Sequence, residues 1–463
     1  MSGRLSFPPD HRRSQRAVDG DQEAAAKIFL AHRIGLQPRD RGCPLLAGSF
    51  LCKSQLVSTG AVHLGRDSIA IRFVLEVKTM NGPQLKVLSL QPWYGGSHRQ
   101  FADGWSSRSE HDWTTVGLPD CNWKWRMRHA AIEFARQIKL RSDSGEFWDV
   151  VLCTDMLNAA ELRALAAPIR DLPLVVYFHE NQFAYPIRGK QQPDHHFLFT
   201  NFVSALAADE VWFNSRFNLD SMLAGLREHS EAWPDFAPME EIDSIEGKSK
   251  IVPPPISYPA EDLDRMFEER NQRVTSGEPL HLVWAARWEY DKNPEALLKC
   301  LELLDQQRVP FRLSVIGEDS GMAPRAFAEI HDRFETQIEN WGYQQSREEY
   351  WSVLNSADVF LSTATHEFFG LSVAEAIAVG VSPLLPNRLA YPELLDVRNS
   401  PERLDRFTYA STAKQLATKV RSLHLDRDWD FAALNELSRS IRSRFGFESC
   451  ATKMDILLQG ILK

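Results

Sequence analysis

ADVFLSTATHEFFGLSVAEAIAVG, residues 357–380, passes from a short apolar run through a polar loop into an alanine-rich stretch of helical period. The run ADVFLST ends at Thr363 and reads as a short apolar strand of a parallel sheet, followed by the loop ATHEFFG and the helix LSVAEAIAVG. Strand, loop and helix make half of a βαβ unit, and the same unit recurs along most of the chain. In the first half the strands are LKVLSLQPW (85–93, closed by YGGS), WDVVLCTD (148–155), LPLVVYFHENQ (172–182) and ADEVWFNS (208–215). In the second they are LHLVWAARW (280–288), FRLSVIGE (311–318) and VSPLLP (381–386), separated by helical stretches such as PEALLKCLELL (294–304) and SREEYWSVLNSA (346–357). The Pro-rich, charged stretch 251–279 interrupts the cycle once. The pattern predicts an α/β protein with two Rossmann-like domains facing across a cleft, over 84–255 and 280–440, a linker at 256–279 and a C-terminal helix at 441–463.

Composition narrows the class. The chain has 463 residues, 43% hydrophobic and 25% charged, enough for two sizeable cores. Six cysteines (43, 52, 121, 153, 300, 450) show no metal-ligand or disulfide spacing, and no apolar run approaches a membrane span, so a cytoplasmic protein is expected. Residues 1–80 carry 12 Lys+Arg against 7 Asp+Glu and none of the 13 tryptophans, whereas residues 81–463 carry a net charge of −14. The acidic residues Asp19, Asp21 and Glu23 argue against a transit peptide. A disordered leader is expected there, with Met80 an alternative translation start.

Ligands of open parallel sheets bind beyond the carboxyl ends of the strands, so residues just after each run are the informative ones. Arg287 closes LVWAAR, and Lys292 precedes Asn293-Pro294, a favourable N-cap and first helical residue. Two cations beside a helix N-terminus form an anion site, unless they merely pair with Glu289 and Asp291. Around Gly370, a phosphate fits the turn, Glu375 on the helix suits a ribose diol and Glu367 in the loop a sugar ring, which together describe a nucleotide sugar. The alternatives are a capping box, in which Ser372 and Glu375 satisfy backbone amides, and a merely solvated Glu367. Asp426-Arg427-Asp428 lies in the charged tail rather than at a strand end and is read as coincidence, with no metal site.

HEFFGLSVAEA resembles the Glu-x7-Glu motif of retaining GT-B glycosyltransferases of family 4, and RWEYDK resembles their diphosphate-binding pair. QPWYGGSHRQFADGW, LPDCNWKWRMRHAAIEFA, YFHENQFAYP and VWFNSRFNLDSML are similar to the tRNA-queuosine α-mannosyltransferase family, as are VWAARWEYDKNPE and THEFFGLSVAEA. The similarity runs from about Leu85 to about Pro392. It implies transfer of mannose, with retention and without a metal or other cofactor, from GDP-mannose to queuosine in the anticodon of tRNA(Asp).

By that resemblance Arg287 and Lys292 hold the diphosphate, Glu367 the sugar, Glu375 the ribose and His179 the donor sugar from the opposite domain. Phe369 and Gly370 complete the donor loop, and Gly95 and Gly96 let the first domain approach the diphosphate. Glu180 and Asn181, next to His179, fall on the acceptor side, and Glu180 is the one carboxylate placed to serve as a nucleophile in place of front-face attack. His179 alone also fits a structural role. The stretch 122–141 interleaves Trp123 and Trp125 with Lys124, Arg126 and Arg128, which suits phosphate contact and base stacking. It equally fits core tryptophans, or a helix on an anionic membrane. Trp341, Gly342 and Tyr343 are candidates for the guanine contact. A lipid or saccharide acceptor, or a non-catalytic nucleotide-sugar or tRNA-binding module, are the competing readings.

Overall fold

The computed structural model describes residues 82–462 except 186–193, 232–234, 236, 260, 261 and 320, so the leader lies outside the described residues. Two six-stranded, wholly parallel sheets form. In the first, β1 (Lys86–Gln91), β2 (Asp112–Gly117), β3 (Val150–Thr154), β4 (Leu174–Phe178), β5 (Glu210–Phe213) and β6 (Ser249–Ile251) run in the order β2-β1-β3-β4-β5-β6. In the second, β7 (Leu280–Ala285), β8 (Phe311–Ile316), β9 (Ile338–Gly342), β10 (Val359–Leu361), β11 (Ser382–Pro386) and β12 (Thr408–Tyr409) run β12-β11-β10-β7-β8-β9. The central strands β3, β4, β7 and β10 are buried along their whole length, because helices cover both faces of each sheet. The strand order reverses beside β1 in the first sheet and beside β7 in the second. Crevices at such reversals are where open α/β sheets bind ligands, and the β7–β10 crevice lies between the loops that carry Arg287 and Glu367.

Two boundaries differ from expectation. The stretch 256–279 is only partly a linker: the helix Leu263–Ser276 buries Phe267, Arg270 and Val274 in the second domain. Arg270 donates to the carbonyls of Ala357 (2.8 Å) and Val379 (2.7 Å), among those closing the helices Arg347–Ser356 and Leu371–Ala378, and burial lowers its pKa to about 10. At the other end, the helix Phe431–Phe445 stops before Gly446, and a separate helix, Phe447–Gly460, packs on the first sheet. There Cys450, Met454 and Leu458 join Leu85, Val87, Trp105 and Trp212 in one core cluster.

Asp455 fastens that returning helix. Its carboxylate accepts from Trp105 Nε1 (2.8 Å), Ser109 Oγ (2.8 Å) and the Glu110 amide (2.9 Å). Asp455→Ala strands three donors at a buried position, so chemical denaturation should show a loss of about 2 to 4 kcal/mol. A loss under about 1 kcal/mol would mean that water satisfies them.

Candidate active site

The loop after β7 and the loop after β10 are sewn together. Thr365 donates from its amide (2.7 Å) and hydroxyl (2.9 Å) to the Asp291 carbonyl, and Thr363 Oγ1 donates to the Lys292 carbonyl (2.7 Å). This places Lys292 beside Glu367: the buried ammonium reaches Glu367 Oε2 (3.3 Å), Asp291 Oδ2 (3.3 Å) and the His366 carbonyl (2.9 Å). Burial alone would raise the Glu367 carboxyl, but Lys292 outweighs it and holds the pKa below the usual range. Asn293 caps the next helix in a left-handed conformation, accepting from the Ala296 amide (3.3 Å), with Pro294 as the first helical residue. Arg287 is different. Its side chain is 54% exposed and its ion pair with Glu289 is long (3.5 Å), leaving the guanidinium available to an anion in the cleft.

The helix Leu371–Ala378 starts after Gly370, whose φ of 94° is the left-handed region that glycine adopts without strain. The capping-box alternative fails, because Ser372 sits inside the first turn and donates instead to the Ala285 carbonyl (2.8 Å). Glu375 is held by other groups: Arg347 (2.8 Å to Oε1), the Tyr350 hydroxyl (2.8 Å to Oε2) and, from the first domain, Gln100 (3.4 Å to Oε1). Phe369 is buried and packs edge-on against Phe445, so it shapes the loop from beneath.

His179 and Glu180 follow β4 and face this loop from the first domain. Asp155, at the end of β3, accepts from the His179 amide (3.0 Å) and fixes the turn. The His179 ring packs on His98, with centroids 4.1 Å apart. Burial pushes both imidazole pKa values down, with Arg287 adding to the effect on His98, which reaches about 4. Burial raises the Glu180 carboxyl, while Arg287 and Lys292 across the cleft oppose it, and the Tyr185 hydroxyl donates to it. Tyr185 in turn lies 4.3 Å from the His366 ring.

Three of the expected acceptor residues, Asn181, Arg126 and Trp123, are engaged within the protein. Asn181 is buried, and its side chain is occupied by Asn218, Ser221 and the amides of Phe183 and Ala184, so it shapes the loop rather than facing an acceptor. Arg126 points inward to the Pro119 carbonyl (3.0 Å), because its position on the helix Trp123–Asp143 lies beside the buried Met127 and Ala130. Trp123 packs against Phe197. At Gly95 the close neighbour is the Asp120 carboxylate, which a Cβ would approach to 1.8 Å, whereas Gly96 (φ 50°) has open space where a Cβ would stand. Lys124, Arg128 and Trp125, 58% exposed, remain on the surface. Of the base candidates, Trp341 is packed against Trp288 and His331, the Gly342 carbonyl accepts from Gly317 (3.1 Å), and Tyr343 is 61% exposed. Sequence reasoning missed His98, Arg347, Tyr350 and Gln100.

Buried neutral histidines give a pH signature. His98 and His366 have folded pKa values of about 4, below the unfolded 6.5, so the unfolded chain binds more protons between those limits. Their contribution is complete above pH 6.5 and is lost as pH falls toward 4. Urea midpoints should therefore decline from about pH 6.5 downward, and His98→Asn should flatten the decline. An unchanged pH profile in that variant would show that His98 does not carry it.

The comparisons with known proteins bear on the family and the fold. The family model for the tRNA-queuosine alpha-mannosyltransferase N-terminal region matches residues 86–256, and that for glycosyl transferases group 1 matches residues 266–442. A Drosophila melanogaster tRNA-queuosine alpha-mannosyltransferase is 34% identical over 327 residues, 68% of this chain and 82% of the relative. In fold, the chain is similar to a sucrose-phosphate synthase from Thermosynechococcus elongatus (TM-score 0.59, 14% identity, 82% of this chain and 99% of that one). It is also similar to Anabaena HepE in complex with UDP (TM-score 0.55, 12% identity, 82% of this chain and 100% of that one). Among the described residues no helix is long and apolar enough to cross a membrane. Two GT-B domains, a matched N-terminal model and a relative covered over most of its length place this chain in the tRNA-queuosine alpha-mannosyltransferase family, as a glycosyltransferase.

Proposed function

We propose that the protein transfers mannose from GDP-mannose to the cyclopentenediol of queuosine in the anticodon of tRNA(Asp), in the cytoplasm and with retention of the α configuration. The observation that carries this reading is the convergence at one crevice of Arg287, half exposed and in a long pair with Glu289, with the Lys292–Glu367 pair, facing His179 and Glu180. Breaking the glycosyl phosphate bond builds negative charge on the departing diphosphate, which Arg287 and Lys292 stabilise more in the transition state than in the ground state. Glu367 holds hexose hydroxyls, Glu375 the ribose, and His179 the hexose from the other side. The acceptor hydroxyl attacks C1 on the face that the phosphate leaves, and a phosphate oxygen takes the proton, so GDP departs and no protein nucleophile is used. Glu180 and Tyr185 lie on the acceptor side. Lys124, Trp125 and Arg128 supply a cationic, stacking surface for the anticodon loop.

Fixed cations do the work a metal would do, so turnover should persist in excess EDTA; a chelator-sensitive rate restored by a divalent ion would overturn that part. A lipid acceptor is the second reading. It is favoured by Ile132 and Leu140, which are exposed on the same helix as Trp125. GDP release from GDP-mannose that depends on queuosine-containing tRNA, and not on anionic vesicles, supports the tRNA reading. The opposite dependence would replace it with the lipid one.

A further inference from the structure

The Glu375 carboxylate is crowded. Arg347 and Gln100 donate to Oε1 (2.8 and 3.4 Å) and the Tyr350 hydroxyl to Oε2 (2.8 Å), taking three of the roughly four lone-pair sites a carboxylate offers. A ribose diol brings two further donors, so an existing partner must leave. Tyr350 is poorly suited to leave: burial, and then the Glu375 charge, push its phenol pKa well up, and its hydroxyl would be stranded. Gln100 belongs to the opposite domain and makes the longest contact. Arg347 is the partner with somewhere to go: its side chain is 46% exposed, so water and a ligand can reach the freed guanidinium, while the carboxylate it leaves, 6% exposed, is taken over by the ribose hydroxyls.

Its position decides where it goes. Arg347 opens the helix Arg347–Ser356, five residues after the end of β9 at Gly342, at the carboxyl edge of the second sheet. Its guanidinium lies 5.0 Å from the ring centroids of both Tyr350 and Trp351, a shelf on which it can pivot without losing its cation–π contacts. A base attached to a ribose held by Glu375 would lie at that edge. The guanidinium offers donors only, in a planar fork. The fork matches the adjacent O6 and N7 acceptors of guanine or hypoxanthine. Adenine sets an amino donor beside N7, and uracil sets an N–H beside O4.

We propose that Arg347 is the residue that selects a 6-oxopurine nucleotide, exchanging the Glu375 carboxylate for the base when the ribose takes its place. This rests on the reading of Glu375 as the ribose carboxylate. The test is calorimetric titration of the wild type, Arg347→Ala, Arg347→Lys and Glu375→Gln with GDP, IDP, UDP and ADP, with thermal melting to establish that each variant is folded. Arg347→Ala should weaken GDP and IDP by about 5- to 150-fold while leaving UDP and ADP unchanged or slightly tighter. Arg347→Lys, which keeps the charge without the fork, should recover only part of the loss. Equal loss for all four nucleotides, or tighter GDP binding in Arg347→Ala, would overturn the proposal. Should Arg347→Ala fail to fold, Arg347→Lys decides: an unchanged preference for GDP over UDP overturns it. Glu375→Gln should weaken all four alike; if it weakens none, it is the ribose reading that fails.

Discussion

Arg287→Ala should lower kcat by about 10²- to 10³-fold and change the KM for the donor by less than tenfold, the loss expected on removing one preorganised group aimed at developing charge. The prediction depends on the contrast between the two cations of the crevice. Lys292 is buried and already bound to Glu367 and Asp291, so removing it strands two carboxylates and damages the fold along with the chemistry. Arg287 is half exposed, with a single long pair to Glu289, so its removal leaves the fold intact and reports on turnover alone. Steady-state rates of acceptor-dependent GDP release check this. A rise in KM with unchanged kcat would make Arg287 a ground-state binding residue.

The second large effect separates the two glutamates. Glu375→Gln keeps the shape but removes the charge that accepts from a ribose, so affinity for GDP and GDP-mannose should fall together, by roughly 10- to 150-fold. Glu367→Gln should leave GDP binding nearly unchanged and reduce sugar transfer, since that carboxylate is proposed to hold the hexose and GDP has none. Titration with both ligands distinguishes the pair. Equal losses for both ligands in both variants would show the assignment to be wrong.

Much of this site was legible in the chain because strand ends are legible. The runs ending at Ala285 and Leu361 are short, apolar and bounded by polar loops, and parallel sheets bring the ends of neighbouring strands together. Arg287, Lys292 and Glu367 therefore meet as their spacing suggests. Contacts between distant segments leave no such mark. Gln100 reaches Glu375 across 275 residues, and Trp105 reaches Asp455 across 350. The helix Leu263–Ser276 was hidden for another reason: Arg270 occupies a core position between Phe267 and Val274, so its apolar period is broken by a buried cation that caps its neighbours. In the basic stretch, composition marked the helix but not its phase. Lys124, Trp125 and Arg128 face out while Arg126 turns inward, and that follows from where the helix begins, at left-handed Asn122.

The central claim is that the acceptor is queuosine in tRNA and the donor GDP-mannose. Purified protein incubated with GDP-mannose and queuosine-containing tRNA(Asp), followed by nucleoside mass spectrometry, tests it directly. Queuosine carrying one hexose is expected, absent when the tRNA lacks queuosine and strongly diminished with Arg287→Ala. Unmodified queuosine after incubation with folded, GDP-binding protein would contradict it.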